Sequence, residues 1–307
     1  MVLEAKAVKD VGASIRARLR NLARSTGRDF DALLLQYCQE RFLYRLSVSP
    51  YTSHFVLKGA LLLLPYKIPL LRPTKDIDFL ARGTSNDPEA VRAIIERVAT
   101  IEGNDGVSFS KANLRVERIM EGAAYEGIRV KIQAKLREAR KVIQLDIAYG
   151  DVVSGGPVEM TFPVLLEEQP APRLRVYPKE SSVAEKFESL VKLNILTSRM
   201  KDLYDILFMA SQCSFEMHAL RKAIIGTFRH RMTPLRNISV LFDKEFTASK
   251  EKQVQWSAFL NRSRLESFPL FSEAVEHLRS FIEPACSASF GSLMDKRFWK
   301  TAEWKWE

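Results

Sequence analysis

Between Ile128 and Arg137 the chain alternates: Ile128, Val130, Ile132, Ala134 and Leu136 on odd steps, with Arg129, Lys131, Lys135 and Arg137 between them. Successive side chains of a strand point to opposite faces, so this stretch reads as a half-buried strand with one apolar and one basic face. Such a strand needs neighbours. Val142–Ala148 supplies one across a short charged turn, and the two read as a hairpin. HFVLKG at 54–59, KDIDFLA at 75–81 and Leu114–Met120 are further strands, with GALLLL a short helix between the first two. Asn86–Thr100 reads as a helix, opened by NDPE: an N-cap, a proline in the first turn and acids near the positive end of the dipole.

On both sides of this region the period changes to that of a helix. Ile15, Leu19 and Leu22 recur at helical spacing, Gly27 sits where a C-cap would, and Asp29 can cap a second helix carrying Phe30, Leu33, Leu34 and Tyr37. We read residues 13–47 as a helical hairpin. A DNA-reading helix-turn-helix fits less well, because the basic residues sit in the first helix. From Glu180 onward SSVAEKFESLVKLNI, SRMKDLYDILFMASQ and FEMHALRKAIIGTFRHR read as helices, with two more to about Ile282. Pro170, Pro172 and Pro178 mark a linker. The expected fold is α+β: an N-terminal helical hairpin (1–48), a mixed-sheet core (49–170) and a C-terminal helical domain (171–307).

With 307 residues the chain is long enough for about two domains, and 46% apolar against 27% charged residues excludes general disorder. The three cysteines, Cys38, Cys213 and Cys286, lie far apart without CxxC or Cys/His spacing, which argues against a zinc site or a disulfide framework. No apolar run has the length of a membrane span, and MVLEAKAVKDVGASIRARLR has no apolar signal region, so the expectation is a cytoplasmic protein. A net charge of +10 points to a polyanionic partner, nucleotide or RNA.

Asp76-Ile77-Asp78 is the strongest chemical signal. On a strand both carboxylates emerge on one face, about 6.5–7 Å apart along the backbone. They repel, and a divalent cation between them relieves the repulsion. Mg²⁺ suits such a site, since it binds through one or two carboxylates plus substrate phosphates. Upstream, Lys58-Gly59-Ala60 occupies a strand-to-helix turn where glycine lets phosphate approach the backbone. Downstream, Gln144-Leu145-Asp146-Ile147 places Asp146 on another strand, completing a carboxylate triad able to hold two ions for phosphoryl or nucleotidyl transfer.

Five blocks in order, FVLKGALLL, RPTKDIDFLA, LDIAYGD, YPKESSVAEKFESL and SRMKDLYDI, resemble the AbiEii/MenT family of nucleotidyltransferase toxins, within the DNA polymerase β-like superfamily. The resemblance runs from about Ser14 to Pro284. It implies metal-dependent transfer of a nucleotide from an NTP to RNA, notably tRNA, by a toxin paired with an antitoxin. Position by position, Asp76 and Asp78 match the metal-binding D-x-D, and Asp146 the third-strand acid. Two Mg²⁺ ions are implied, with Mn²⁺ the alternative. Lys186 matches the lysine at the NTP phosphates, and Asp205 the acid of the R-x-K-D-x-x-D block that begins at Arg199. At the turn the superfamily carries a hydroxyl residue where this chain has Ala60, so phosphate binding would lean on the Gly59 backbone and on Thr74 or Lys75.

The basic face of Arg129, Lys131, Lys135 and Arg137 is a candidate RNA track. A second is Met217–Phe242, with Arg221, Lys222, Arg229, Arg231 and Arg236 and no acid. The histidines show no ligand spacing, and the tail RFWKTAEWKWE is expected to dock on the protein more readily than to stack on bases. Two rivals remain: a nucleotide- or RNA-binding regulator without turnover, and an enzyme that nucleotidylates a protein.

Overall fold

The computed structural model describes residues 10–66, 74–121, 125–193, 196–263, 265, 268–287 and 295–307. The described chain forms two units. The first draws on Met1–Pro65, Thr74–Gly150 and Glu159–Val176, and the second on Tyr66–Pro73, Asp151–Val158 and Tyr177–Glu307.

The first unit contains α1 (Val11–Thr26), α2 (Phe30–Ser47), α3 (Pro88–Ala99) and a mixed sheet. The expected hairpin therefore belongs to the sheet unit. Gly27, with φ 68°, ends α1, and the Asp29 carboxylate accepts from the Ala32 N–H at the start of α2. Asp87 caps α3, with Pro88 in its first turn. The strands are β1 (Phe55–Lys58), β2 (Asp76–Ala81), β3 (Val107–Glu121), β4 (Tyr125–Leu136), β5 (Ala139–Tyr149), β6 (Val158–Thr161) and β7 (Arg173–Val176). Their order is β3-β4-β5-β2-β1-β7-β6, with β2 parallel to β5 and β1 parallel to β7.

Two sequence expectations change here. The Pro170–Pro178 linker contains β7, four residues paired beside β1. Arg137 lies beyond the end of β4, in the turn to β5, with φ 52°. It pairs with Asp10, 3.4 Å away.

The apolar sheet face carries Leu57, Ile77, Phe79, Val130, Leu145 and Ile147, all buried. Helix α2 packs on β5 and β7, and α3 on β3. Phe42 of α2 meets Phe109 of β3 edge to face, ring centroids 5.6 Å apart. Arg45, also on α2, forks onto Asp105 at 2.6 and 3.1 Å and donates to the carbonyls of Ile101 and Val107. That buried pair ties the helix to the start of β3. With one face closed by helices, period-two geometry leaves the polar face for chemistry.

The second unit holds α4 (Lys179–Leu193), α5 (Met200–Gln212), α6 (Met217–His230), α7 (Lys244–Thr247), α8 (Lys250–Ser263) and α9 (Phe271–Cys286). Helix α4 packs on α5 and α6, and α9 on α5, α6 and α8. The apolar stripe of α4 runs through Phe187, Leu190 and Val191, all buried; Ile195, which helical spacing in the sequence adds to that stripe, lies outside the described residues. The tail docks as expected. Strands β8 (Trp299–Lys300) and β9 (Lys305–Trp306) form a small hairpin. The Trp299 indole is buried and donates to the Ala210 carbonyl at 2.7 Å. Trp306 stacks on Phe281, and Trp304 on His277. No described helix is long and apolar enough to cross a membrane.

Candidate active site

Strand β2 lies between β1 and β5, and its register decides what surrounds the D-x-D pair. Asp78 has Lys58 of β1 as its cross-strand neighbour on one side and Asp146 of β5 on the other, and Asp146 in turn has Arg129 of β4. Directly opposed residues share a face. Lys58, Asp78, Asp146 and Arg129 therefore form one row across the polar face, two acids in the middle and a cation at each end. The next row holds Asp76, Gln144 and Lys131. Asp76 and Asp78 are half-buried, and Ile77 between them is fully buried on the other face.

The turn after β1 closes over this row. Gly59 has φ 69° and ψ −153°, a conformation that strains residues with a Cβ. A Cβ there would sit 1.9 Å from Asp78 Oδ2. Only hydrogen fits between this backbone and the Asp78 carboxylate. We expect Gly59→Ala to destabilise the protein by about 2 kcal/mol or more, through backbone strain and collision together. Gly83→Ala is the control, because Gly83 also has positive φ (65°) but open space where its Cβ would go. Equal losses of thermal stability in the two variants would show that the contact with Asp78 adds nothing.

At the start of β2, Gln39 of α2 donates to the Lys75 carbonyl at 2.9 Å and fixes the strand entrance. The Thr74 hydroxyl oxygen beside it is buried and has no hydrogen-bond partner among the described residues. Lys75 is exposed. The helix after Gly59 is a single 3₁₀ turn, Ala60–Leu63. A carboxylate pair, a backbone cradle that excludes side chains and an orphaned hydroxyl fit a divalent ion with an attached phosphate.

Asp146 is beside Asp78 but oriented to other partners. Arg129 Nε and Nη2 reach its two oxygens at 2.8 Å each, and Gln144 Nε2 lies 3.2 Å from both. Among the described residues, no three carboxylate, imidazole or thiol groups gather closely enough to hold an ion between them. Arg129, counted in sequence as an open cation, is thus paired, and Lys131 lies 3.6 Å from Glu117. The basic face is flanked by acids of the adjoining strands. Lys135 stays exposed, with exposed Arg140 as its cross-strand neighbour.

In the helical unit, packing of α4 on α5 assembles a second charged group. Lys186 Nζ lies 2.7 Å from Asp205 Oδ2 and 3.3 Å from Asp202 Oδ1, and Arg199 pairs with the other Asp202 oxygen. The Asp202 and Asp205 side chains are 3% and 0% exposed, so this is a buried cluster rather than a surface face. Burial works against ionisation of Asp202, but Lys186 and Arg199 beside it prevail and hold its carboxyl below the usual range. Lys186 and Asp205, chosen by resemblance, are therefore brought together, with Asp202 completing the set.

Arg231 is likewise internal. Asp151, Glu185 and Glu188 surround it at 3.1, 3.4 and 3.0 Å. Arg221 donates to the Pro284 and Ala285 carbonyls near the end of α9. Lys222, Arg229 and Arg236 remain exposed. Lys58 and Gln144 were the residues sequence reasoning missed. Gln144 was legible, two positions before Asp146 on a strand; Lys58 needed the register.

A model of the family described as nucleotidyl transferase AbiEii toxin, type IV toxin–antitoxin system, matches residues 41–278. Two solved structures are similar in part. JHP933 of Helicobacter pylori is 17% identical with a TM-score of 0.41, covering 80% of this chain and 88% of its own. An H. pylori protein described provisionally as a nucleotidyltransferase is also 17% identical, with a TM-score of 0.42, covering 80% and 90%. No curated protein sequence matches the chain.

Proposed function

The chain belongs to the AbiEii family of nucleotidyl transferase toxins, and from that premise we propose that it transfers a nucleotide from an NTP to RNA, with the 3′ end of tRNA as acceptor. The observation that carries this reading is the Asp76–Asp78 pair on the polar sheet face, with the Gly59 backbone pressed over Asp78. Asp76 and Asp78 would hold Mg²⁺, or Mn²⁺ in its place. Bound there, the ion supplies Lewis-acid stabilisation of charge on the α-phosphate. The Gly59 turn keeps side chains away from the phosphate, and Thr74 offers its hydroxyl. The acceptor hydroxyl gives its proton to solvent water, its oxygen bonds the α-phosphorus, and the bond to the β-phosphate breaks to release pyrophosphate. No covalent enzyme intermediate is required.

The exposed pair Lys135 and Arg140 in the sheet unit, and Lys222, Arg229 and Arg236 in the helical unit, supply phosphate contacts that position RNA without reading its sequence. Binding should fall steeply with salt. A cognate antitoxin is the expected protein partner, and expression without it should arrest growth through loss of translation.

The test is incubation of the purified protein with Mg²⁺, each α-labelled NTP in turn, and total RNA. Label entering a tRNA-sized band is the expected result. Label on protein alone would replace the acceptor and favour the protein-modifying rival. No incorporation with any NTP, together with retained nucleotide binding, would favour the regulator without turnover, to which the Gly59-Ala60 turn lends its missing hydroxyl.

A further inference from the structure

Asp146 raises a question that its position in the sequence does not. It stands in the same row as Asp78, one strand away, where a third ion ligand would be expected. Yet both of its oxygens already accept hydrogen bonds, from the fork of Arg129 at 2.8 Å twice and from the Gln144 amide at 3.2 Å twice. A bidentate guanidinium–carboxylate fork is among the stronger contacts a carboxylate can make. An ion at Asp146 would have to displace it. Mg²⁺ has no need to, since two carboxylates and substrate phosphates satisfy it.

The view from Arg129 is the complement. A guanidinium has five N–H donors in a fixed plane, of which Asp146 takes two. The remaining three have no hydrogen-bond partner among the described residues. The side chain is 33% exposed, so these donors are in reach of a ligand on the polar face. Asp146 and Gln144 fix the plane of the fork and so pre-orient what is left of it. The bonds from Asp146 first, and the charges of Asp146 and Asp76 after them, raise the already high proton affinity of Arg129.

We propose that Asp146 is a positioning residue rather than an ion ligand: with Gln144 it holds Arg129 beside the Asp76–Asp78 pair, and Arg129 binds the phosphate oxygens of the nucleoside triphosphate. The inference rests on the transfer reading above and assigns that site its phosphate-binding cation in the sheet unit. It also removes Arg129 from the RNA track.

Mn²⁺ binding, followed by the loss of the free-ion signal in electron paramagnetic resonance, separates the roles without turnover. Asp146→Asn should keep Mn²⁺ affinity within about threefold of wild type, while Asp78→Asn should lose about tenfold or more. Binding of a non-transferable α,β-substituted NTP analogue then tests Arg129. Arg129→Gln should weaken it about tenfold or more while leaving Mn²⁺ binding intact, and Arg129→Lys should restore little, because a point charge cannot hold the fork. Asp146→Asn should weaken the analogue less than Arg129→Gln does.

Loss of Mn²⁺ binding in Asp146→Asn equal to that in Asp78→Asn would overturn the proposal and make Asp146 a ligand. Wild-type analogue affinity in a folded Arg129→Gln protein would overturn it by reducing Arg129 to a counter-ion. Failure of the wild type to bind Mn²⁺ at all would instead bring down the transfer reading beneath it.

Discussion

Replacing Asp78 with asparagine is expected to reduce nucleotide transfer on the order of 10³-fold, because an ion held by one carboxylate instead of two loses several kcal/mol of charge stabilisation in the transition state. Asparagine keeps the shape and one acceptor oxygen, so the Gly59 turn still closes over it. The two rows hold three acids, Asp76, Asp78 and Asp146, against three cations, Lys58, Arg129 and Lys131, so the substitution changes their balance by a single charge. The melting temperature should therefore stay within roughly 5 °C of wild type. Asp76→Asn should behave alike. Transfer at the wild-type rate by either folded variant, with metal present, would remove the pair from the site.

Lys186→Met is the second large effect, and the packing of α4 on α5 is what makes it large. A lysine beside an apolar helical stripe reads as a side chain that carries its charge out to water, replaceable without loss of stability. Packed on α5, Lys186 instead bridges Asp202 and Asp205, both almost fully buried. Removing it takes away the cation that lies between the two carboxylates, while Arg199, itself 40% exposed, stays paired with Asp202. Breaking a buried pair in this way costs about 3–5 kcal/mol. Methionine keeps the length of the stem, which isolates the charge. The double variant Lys186→Met with Asp205→Asn should recover part of the loss, and a double-mutant cycle measures the coupling. A single variant as stable as wild type would show that the cluster contributes nothing to the fold. The lowered Asp202 carboxyl adds a pH signature. Its contribution is present above the unfolded value, about 3.9, and is lost as pH falls below that through the folded value. The variant, lacking Lys186, should lose less on acidification.

What could be read from the sequence was local. Period-two spacing puts Asp76 with Asp78 and Gln144 with Asp146, and both pairs stand as spaced. Caps at Gly27 and Asp29 depend on neighbours a few residues away, and they too are in place. What could not be read depended on which element lies alongside. The alternation of β4 shows four cations in a row of even steps, but parity continues through Arg137 although the strand stops at Leu136. The same alternation is blind to Asp146 and Glu117 on the flanking strands, which take up Arg129 and Lys131. Arg231 looked open because no acid occurs in Met217–Phe242, while its three carboxylates come from Asp151 and α4. A four-residue strand between prolines, β7, has too few positions to show a period at all.

The docked tail has a spectroscopic consequence. Trp299, Trp304 and Trp306 lie on the tail hairpin or its turn, and the fourth tryptophan, Trp256, is on α8. All four belong to the helical unit, and the described sheet unit has none. Indole emission excited at the red edge is therefore a private reporter of the helical unit, while circular dichroism sums both. A Gly59 variant should shift the dichroism transition and a Lys186 variant the fluorescence transition. If a Gly59 variant leaves the fluorescence transition in place, the two units melt independently; if fluorescence moves with the dichroism, folding of one depends on the other.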